Sequence, residues 1–426
     1  MLFMKKMKVI PKPLADFIAF SGDLADKKGL RVFIVGGFVR DLFLGVSNFD
    51  VDMVVEGDAV TFARTLAEQL SCSILVHRRF GTAVIQSPEG FKVDIATARR
   101  EVYEKPAALP VVIAGAIRDD LFRRDFTINA MAICINSVDY GRVFDFYGGM
   151  DDLKKRLVRA LHSLSFIDDP TRILRAVRFE QRLGFSIEKE TYGWMRAAAR
   201  SGMLEVVHKH RLRDELVLIF KERKPFKALG RLYRSCGFDY IFKGLRYERS
   251  WNKAFQDVEK IVRWHKLHFA QKRHIELYVM YMSLFFYPLD LKDVKRVMLD
   301  FAFHKAESSR VLSLRECFDH VKKILADKKA SPSVVYRVLE PLSYEVILLI
   351  LALSSDTRVK RHVEDFISIY DGSRLHLTGD DLLLMGVKPG PGFKKILDKL
   401  LSAKIDGRVK DRRDELKLAE KLIRER

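Results

Sequence analysis

The chain has 426 residues, 48% of them hydrophobic, which is enough for packed cores and more than one domain usually holds. No apolar stretch approaches the roughly 20 residues of a membrane span. The opening MLFMKKMKVIPKP has no apolar core of signal-peptide length, so membrane insertion and export are disfavoured and a cytoplasmic location is expected. Lys and Arg number 76 against 56 Asp and Glu, a formal net charge of +20; residues 1–150 hold 19 of the basic and 18 of the acidic side chains, so nearly all the excess lies beyond them. A near-neutral first part followed by a basic remainder suits a protein that works on a long polyanion. Cys72, Cys134, Cys236 and Cys317 are far apart with no CxxC; they read as reduced, mostly buried thiols, and zinc is disfavoured.

Residues 13–29 form an amphipathic helix stopped by Gly29. From Val32 to Asp58 the sequence VFIVGGFVRDLFLGVSNFDVDMVVEGD gives an apolar strand, a Gly36-Gly37 break, a short segment ending near Gly45, and a second strand. There Asp50 and Asp52 alternate with Phe49, Val51 and Met53, so both acids project from one face, about 7 Å apart. Such a pair can share divalent metals, which in phosphoryl transfer sit roughly 3.5–4 Å apart. The glycine pair lets backbone amides approach an anion. A phosphate cradle beside a metal-binding acid pair is a nucleotide site.

A helix over Ala59–Leu70 precedes two strands, SILVHRRFGTAVIQS and FKVDIATA, joined by Pro88-Glu89-Gly90. Asp94 in the second is either a third carboxylate beside the pair or an edge-strand acid facing water. Residues 98–112, ARREVYEKPAALPVV, carry four charges in their first seven positions and two prolines, and read as a loop. Arg123-Arg124 then stand before Asp125-Phe126-Thr127, leading into an apolar segment read as a helix capped by Asp125.

From Asp151 the pattern turns helical. In SFIDDPTRILRAVRFEQRLGF, residues 165–185, Pro170 sits in a first helical turn behind Asp168 and Asp169. Arg172, Arg175 and Arg178 recur every three residues, Ile173, Leu174 and Val177 face elsewhere, and Asp169 is expected beside Arg172 on the helix surface. The pair is either a solvated salt bridge or a reader of base edges: a carboxylate accepts from the amino group of cytosine or adenine while a guanidinium donates to the ring acceptors, and guanine or uracil mismatch. HKHRLRDELVLIF (208–220) reads as a helix beginning near an arginine, with Arg213 and Glu215 as packing or pairing residues. Lys224 to Ser373 is helical, basic and aromatic; it has no HD dipeptide, and His265, His268 and His274 lack a paired carboxylate, so they read as core or surface residues. HLTGDDLLLMGVKPGPGFKKILDKLLSAKIDGRV (376–409) is helix, Gly-Pro turn, helix, with Lys388, Lys394 and Lys395 either gripping a phosphate backbone or decorating a hairpin that merely packs. Beyond Lys404 no apolar face is wide enough for a core.

Taken together, GGFVRDLFLG…DVD (36–52), RRDFTINA (123–130), VFDFYGG (143–149, with Phe146-Tyr147 where proline-aromatic is commoner) and DDPTR (168–172) resemble the motifs of the class II tRNA nucleotidyltransferase and poly(A) polymerase family. The resemblance implies an α/β nucleotidyltransferase head with a small mixed sheet (1–150), then an all-α neck with the nucleotide-selecting helix (151–223), body (224–373) and tail (374–426). It implies Asp50 and Asp52 as catalytic acids holding two Mg²⁺. Gly36, Gly37, Arg40, Arg124, Arg175 and Arg178 would serve the nucleotide phosphates or the RNA end, and Asp169 and Arg172 would choose the base. It implies addition of C and/or A from CTP and ATP to the tRNA 3′ end, with CCA or terminal A addition favoured. In this family a mobile segment near 98–112 helps change nucleotide specificity, a role open to Arg99, Arg100, Glu101 and Tyr103. The alternatives are a poly(A) polymerase, a CC-adding enzyme, or, from another class, an RNA-binding protein with an inactive head.

Overall fold

The structure is a computed structural model that describes residues 10–102, 104–107, 110–248, 250–269, 271–388 and 390–425. The chain divides into two compact units, one of Met1–Glu215 with Arg231–Tyr240, the other of Leu216–Gly230 with Ile241–Arg426.

The first unit is built on a seven-stranded mixed sheet. After helix α1 (Lys12–Lys27) come strand β1 (Arg31–Val35), helix α2 (Gly37–Leu44), strand β2 (Val51–Glu56) and helix α3 (Ala59–Gln69). Then follow β3 (Ser73–His77), β4 (Thr82–Gln86), β5 (Lys92–Thr97), the ribbon β6 (Arg99–Val102) and β7 (Val111–Ala114), helix α4 (Ile117–Phe122), β8 (Ala132–Cys134) and β9 (Val143–Phe144). The sheet order is β3-β4-β5-β2-β1-β8-β9. Only β2 and β5 run parallel among its neighbours. Period-two alternation sends Val51, Met53, Val55, Val93, Ile95, Ala83 and Ile85 to one face, all buried. The amphipathic α3 covers that face through Phe62, Ala63 and Leu66, started by Asp58, whose side chain accepts from the Val60 and Thr61 amides. On the other face Phe33, Val35, Val54, Ile117, Leu121 and Ala132 close a second core over β1, β2 and β8.

Three expectations change here. The stretch 73–87 is a hairpin rather than one strand, because Arg78–Phe80 form a tight turn ended by Gly81 at φ +60°. Residues 98–112 are no simple loop: Arg99, Arg100, Glu101 and Val102 pair with Ala114, Ile113, Val112 and Val111, and the β-branched Ile113, Val112 and Val111 favour a ribbon; Tyr103 lies outside the described residues. The apolar run after Asp125 is a short 3₁₀ turn, Thr127–Asn129, followed by β8, since a fully buried central strand and a buried helix look alike in a short apolar run.

Helices α5 (Gly149–Lys155), α6 (Ser165–Asp168), α7 (Arg172–Leu183), α8 (Lys189–Arg200), α9 (Met203–Val206) and α10 (Lys209–Lys221) follow. Glycine at 149 is required by space: a Cβ there would lie 2.3 Å from the Thr127 carbonyl oxygen.

Among its described residues the second unit's only regular elements are helices. Within it α12 (Ser250–His268) packs on α17 (Tyr344–Leu353), and α13 (Leu277–Phe286) on α15 (Lys305–Ala326). Helices α13 and α17, LYVMYMSLFF and YEVILLILAL, are apolar all round and form the buried centre. His265 is buried, whereas His268 and His274 are exposed. The chain ends in α19 (Gly379–Leu384), α20 (Pro391–Ile405) and α21 (Arg412–Arg424). The expectation that nothing beyond Lys404 joins a core is wrong: Leu416, Ala419, Leu422 and Ile423 of α21 pack with Leu382, Ile396 and Leu400. The fully buried Glu415 accepts from the His376 and Leu377 amides and pairs with Lys404 at 2.9 Å, so the charge-rich look of this helix hides a satisfied buried acid. All four cysteines are free thiols, with Cys134 buried and the other three half-buried. Among the described residues no helix is long and apolar enough to cross a membrane.

Candidate active site

A cleft of about 990 Å³ opens in the first unit. Its lining includes Gly37, Arg40, Asp50, Asp52, Arg124, Asp169, Arg172, Arg175 and Arg178, every residue expected at the site except Gly36. Asp52 stands on β2 directly beside Asp94 on β5, their Cα atoms paired in register, and Asp50 immediately precedes β2. The acid at 94 is therefore a close neighbour of the pair. Asp52 is reached by solvent yet sits on the cleft floor, and desolvation raises its carboxyl to about 6; Arg124 opposes that shift, while Asp50 and Asp94 add to it. Asp94 is paired with Lys92 at 2.9 Å.

Gly36 faces this floor. It has φ +73°, and a Cβ there would lie 2.6 Å from Arg124 Nη1 and 3.5 Å from Asp52 Oδ2. A side chain at 36 would fill the space between the acid and the arginine. Gly37 begins α2, and a Cβ on it meets Arg40 no closer than 3.5 Å, an ordinary contact. Arg40 is 3% exposed: Nε and Nη2 donate to Asp41 at 2.8 and 2.9 Å, Nη1 donates to Asn129 at 2.6 Å, and the guanidinium lies over Phe179. Asp41 also accepts from Asn48, whose Oδ1 receives the Asp50 amide. Arg40 thus forms part of the cleft wall and, through Asp41 and Asn48, steadies the turn that carries Asp50.

The arginines are braced in pairs. Asp120, fully buried on α4, accepts from Arg123 at 2.8 and 2.9 Å and from Arg124 at 3.1 Å. Asp125 does not cap a helix. Burial alone would push its carboxyl up, but the Arg175 guanidinium and the Asn129 amide pull it down to about 2. Arg175 donates to Asp125 and to Glu215, and Arg178 pairs with Glu215 at 3.3 Å, so α10 does brace α7 through Glu215. Arg213 pairs with its neighbour Asp214.

Asp169 and Arg172 share the cleft but do not meet as neighbours on a helix. Pro170 delays α7 until Arg172, and Asp169 is extended at φ −135°, ψ 92°. Its Oδ1 accepts from the Thr171 amide and hydroxyl and pairs with Arg211 at 2.9 Å. Arg172 is buried, donating to Ser165 Oγ at 2.6 Å and to the Arg123 carbonyl at 2.7 Å, which leaves three of its five N–H groups for another acceptor. Asp120 was missed, although its i,i+3 and i,i+4 spacing to two arginines could have pointed to it. Ser165 and Arg211 were missed too, since no spacing in the chain announces a hydrogen bond from 172 to 165 or an ion pair from 211 to 169.

The chemistry of the acids suits a hard cation. Asp52 is a desolvated oxygen donor beside two further carboxylates, and the glycine at 36 keeps the space in front of it open. Among the described residues no three His, Cys, Asp or Glu side chains converge tightly enough to enclose an ion. An Mg²⁺ ion held by one or two of these carboxylates would take its remaining ligands from substrate phosphates and water.

Comparison with known proteins matches residues 32–159 to the poly A polymerase head domain and residues 184–248 to a probable RNA and SrmB-binding site of polymerase A. The A-adding tRNA nucleotidyltransferase of Geobacter sulfurreducens is 36% identical over 97% of this chain and 47% of its own length. That of Aquifex aeolicus is 38% identical over 76% of this chain and 39% of its own length. The chain therefore spans about half or less of these two relatives. That of Halalkalibacterium halodurans is 32% identical, over 93% of this chain and 90% of its own length. Among solved structures, the Thermotoga maritima CCA-adding enzyme complexed with tRNA aligns with TM-score 0.74 at 31% identity, covering 99% of this chain and 98% of that one. A CCA-adding enzyme complexed with ATP aligns with TM-score 0.78 at 31% identity, covering 100% and 97%. The sheet that floors the cleft belongs to a poly A polymerase head domain. The chain belongs to the tRNA nucleotidyltransferase family.

Proposed function

We propose that this protein adds C and/or A to the 3′ end of tRNA without a nucleic-acid template, with terminal A addition or whole CCA synthesis the favoured outcome. The single observation that carries the reading is that Asp50, Asp52 and Asp94 share one arginine-lined cleft with Asp169 and Arg172. In this reading the tRNA 3′-hydroxyl attacks the α-phosphate of CTP or ATP, the α–β phosphoanhydride breaks, and pyrophosphate leaves. Asp50 and Asp52, with Asp94 beside them, would hold Mg²⁺, which when bound acidifies the hydroxyl and neutralises the leaving oxygens. Arg124 stands across Gly36 from Asp52 and offers its guanidinium to the triphosphate; Arg175 and Arg178 complete the basic wall. Asp169 accepts from the exocyclic amino group, and the spare N–H groups of Arg172 donate to the ring acceptors, so bases with the opposite pattern are refused. The head would occupy 1–150, the neck 151–223, the body 224–373 and the tail 374–426, with RNA affinity vested in the basic remainder beyond the head.

The test gives the enzyme tRNA ending before CCA, after the second C and after the A, with CTP or ATP and Mg²⁺. Incorporation that stops once the end is complete supports the reading. Unlimited addition would make the protein a poly(A) polymerase, and no addition an RNA-binding protein. Arg172→Ala should then blur the preference for CTP and ATP over UTP and GTP by about tenfold or more.

A further inference from the structure

The face of the sheet that carries the acids continues past them to an open edge. Register aligns Asp52 with Asp94, Val84 and Leu75 on one rung, and Val54 with Ala96, Thr82 and His77 on the next. Residues paired across strands share a face, so these side chains stand on the same side as the Asp52 carboxylate. The opposite side is closed by α3. Over β1, β2 and β8 the acid-bearing side is also closed, by α4 and its core, but toward β4 and β3 the cover ends. There Leu75 is 60% exposed, His77 is exposed, and Thr82 and Val84 are half-buried. The turn from β3 to β4 adds Phe80, 62% exposed. His77, Thr82 and Val84 line the same cleft as Asp50 and Asp52. The strip from β2 to β3 spans three strand spacings, roughly 14 Å.

Solvent-facing positions of an antiparallel strand are ordinarily polar, yet here Leu75 and Val84 point outward beside the acids. Lys92 is held by Asp94, and Arg78 stands in the turn beyond His77. Between them Leu75 and Val84 offer a flat base an apolar surface. The triphosphate belongs on the other side of the acids, where Arg124, Arg172 and Arg175 stand.

We propose that this strip, Leu75 and Val84 flanked by His77 and Thr82, seats the terminal nucleoside of the RNA acceptor, its base against the apolar pair and its ribose 3′-hydroxyl at the Asp52–Asp94 end. The assignment rests on the nucleotidyl-transfer reading above and names the seat of its second substrate. Leu75 and His77 are positioning residues for the acceptor.

The experiment measures steady-state kinetics of the full chain with tRNA and ATP, varying each separately, for wild type, Leu75→Glu and Leu75→Thr. The threonine variant keeps a strand-favouring residue should the glutamate disturb folding, and thermal melts accompany both. The expected result is a KM for tRNA raised on the order of tenfold in Leu75→Glu and less in Leu75→Thr, with the KM for ATP and the melting temperature unchanged. An unchanged KM for tRNA in both variants overturns the proposal, as does a parallel rise in the KM for ATP. Ultraviolet cross-linking with 4-thiouridine as the terminal acceptor nucleotide should label the peptide 73–86, and labelling elsewhere also overturns it. If wild type incorporates no nucleotide, the function itself fails, a result distinct from these.

Discussion

Asp52 carries a disfavoured charge on the cleft floor. Its carboxyl is raised to about 6 by desolvation, against an ordinary value of 3.8, with Asp50 and Asp94 adding to the shift and Arg124 opposing it. The sign follows from proton counting. Between about pH 4 and 6 the folded state keeps a proton that the unfolded state has released, so stability from this group is present below pH 4 and is lost as pH rises through 6. Asp52→Asn, which removes the charge and keeps the shape, should therefore melt higher than wild type at pH 7.5 in EDTA, by about 2 °C, and equally at pH 4. Mg²⁺ should raise the melting temperature of wild type at pH 7.5 and leave the variant where it was. A variant that melts lower in EDTA at pH 7.5 would contradict the desolvation account. The acids at 50 and 52 and the arginine at 124 were legible because period-two alternation and a contiguous motif are local patterns. Asp94 was legible only as an alternative, since the sequence does not say that β5 pairs with β2. The roles of Ser165 and Arg211 depend on side chains meeting across turns, and nothing local encodes that.

At the scale of elements, the strand-turn-helix from β1 to α2 positions the floor of the cleft, and its two glycines do different work. Gly36 adopts φ +73°, ψ −135°, a conformation that L side chains avoid, and its missing Cβ leaves room for Arg124 Nη1. Arg124 cannot simply swing aside, because Nη2 is held by Asp120 and Nε is buried. Gly36→Ala should thus cost about 1–3 kcal/mol of stability and raise the KM for ATP about tenfold or more by displacing Arg124. Gly37→Ala, at the first position of a helix with ordinary contacts, should leave both nearly unchanged or melt slightly higher. Equal effects at the two positions, by melts and nucleotide kinetics, would overturn this division. The sequence pointed to both glycines alike; only the backbone angles separate them. The same limit explains the misread elements. A turn of His77-Arg78-Arg79-Phe80 looks like strand between apolar runs, and β8 looks like helix, because short apolar runs carry no period. The last helix was read as too charged for a core because Glu415 counts as polar until its amide and Lys404 partners are seen.

For the molecule as a whole, the charge excess beyond residue 150 has a structural outlet within the second unit. A groove of about 1410 Å³ runs between α16 (Pro332–Leu339) and the closing helices, lined by Arg337, Lys394, Lys395, Lys399 and Arg408 with Tyr336 among them. Lys394 and Lys395 follow Gly390 and Pro391 near the start of α20, where the helix dipole also favours an anion. Opposing acids are few there: Glu340, Asp398 and Glu425. A groove of this kind suits a phosphate backbone better than a base, because lysines act as point charges and carry no edge pattern. Each phosphate neutralised releases condensed counterions, so affinity falls with salt in proportion to the contacts made. Lys394→Ala with Lys395→Ala should weaken tRNA binding at low salt and make the slope of log affinity against log salt shallower by about 1–2. The melting temperature should hold, since neither lysine is in an ion pair given by the structure and the core beneath them is Ile396 and Leu400. Filter binding across a salt series measures both quantities. An unchanged slope with unchanged affinity would mean that the terminal hairpin packs and does not grip, and the polyanion site of the basic remainder would then have to be sought on the helices between residues 224 and 373.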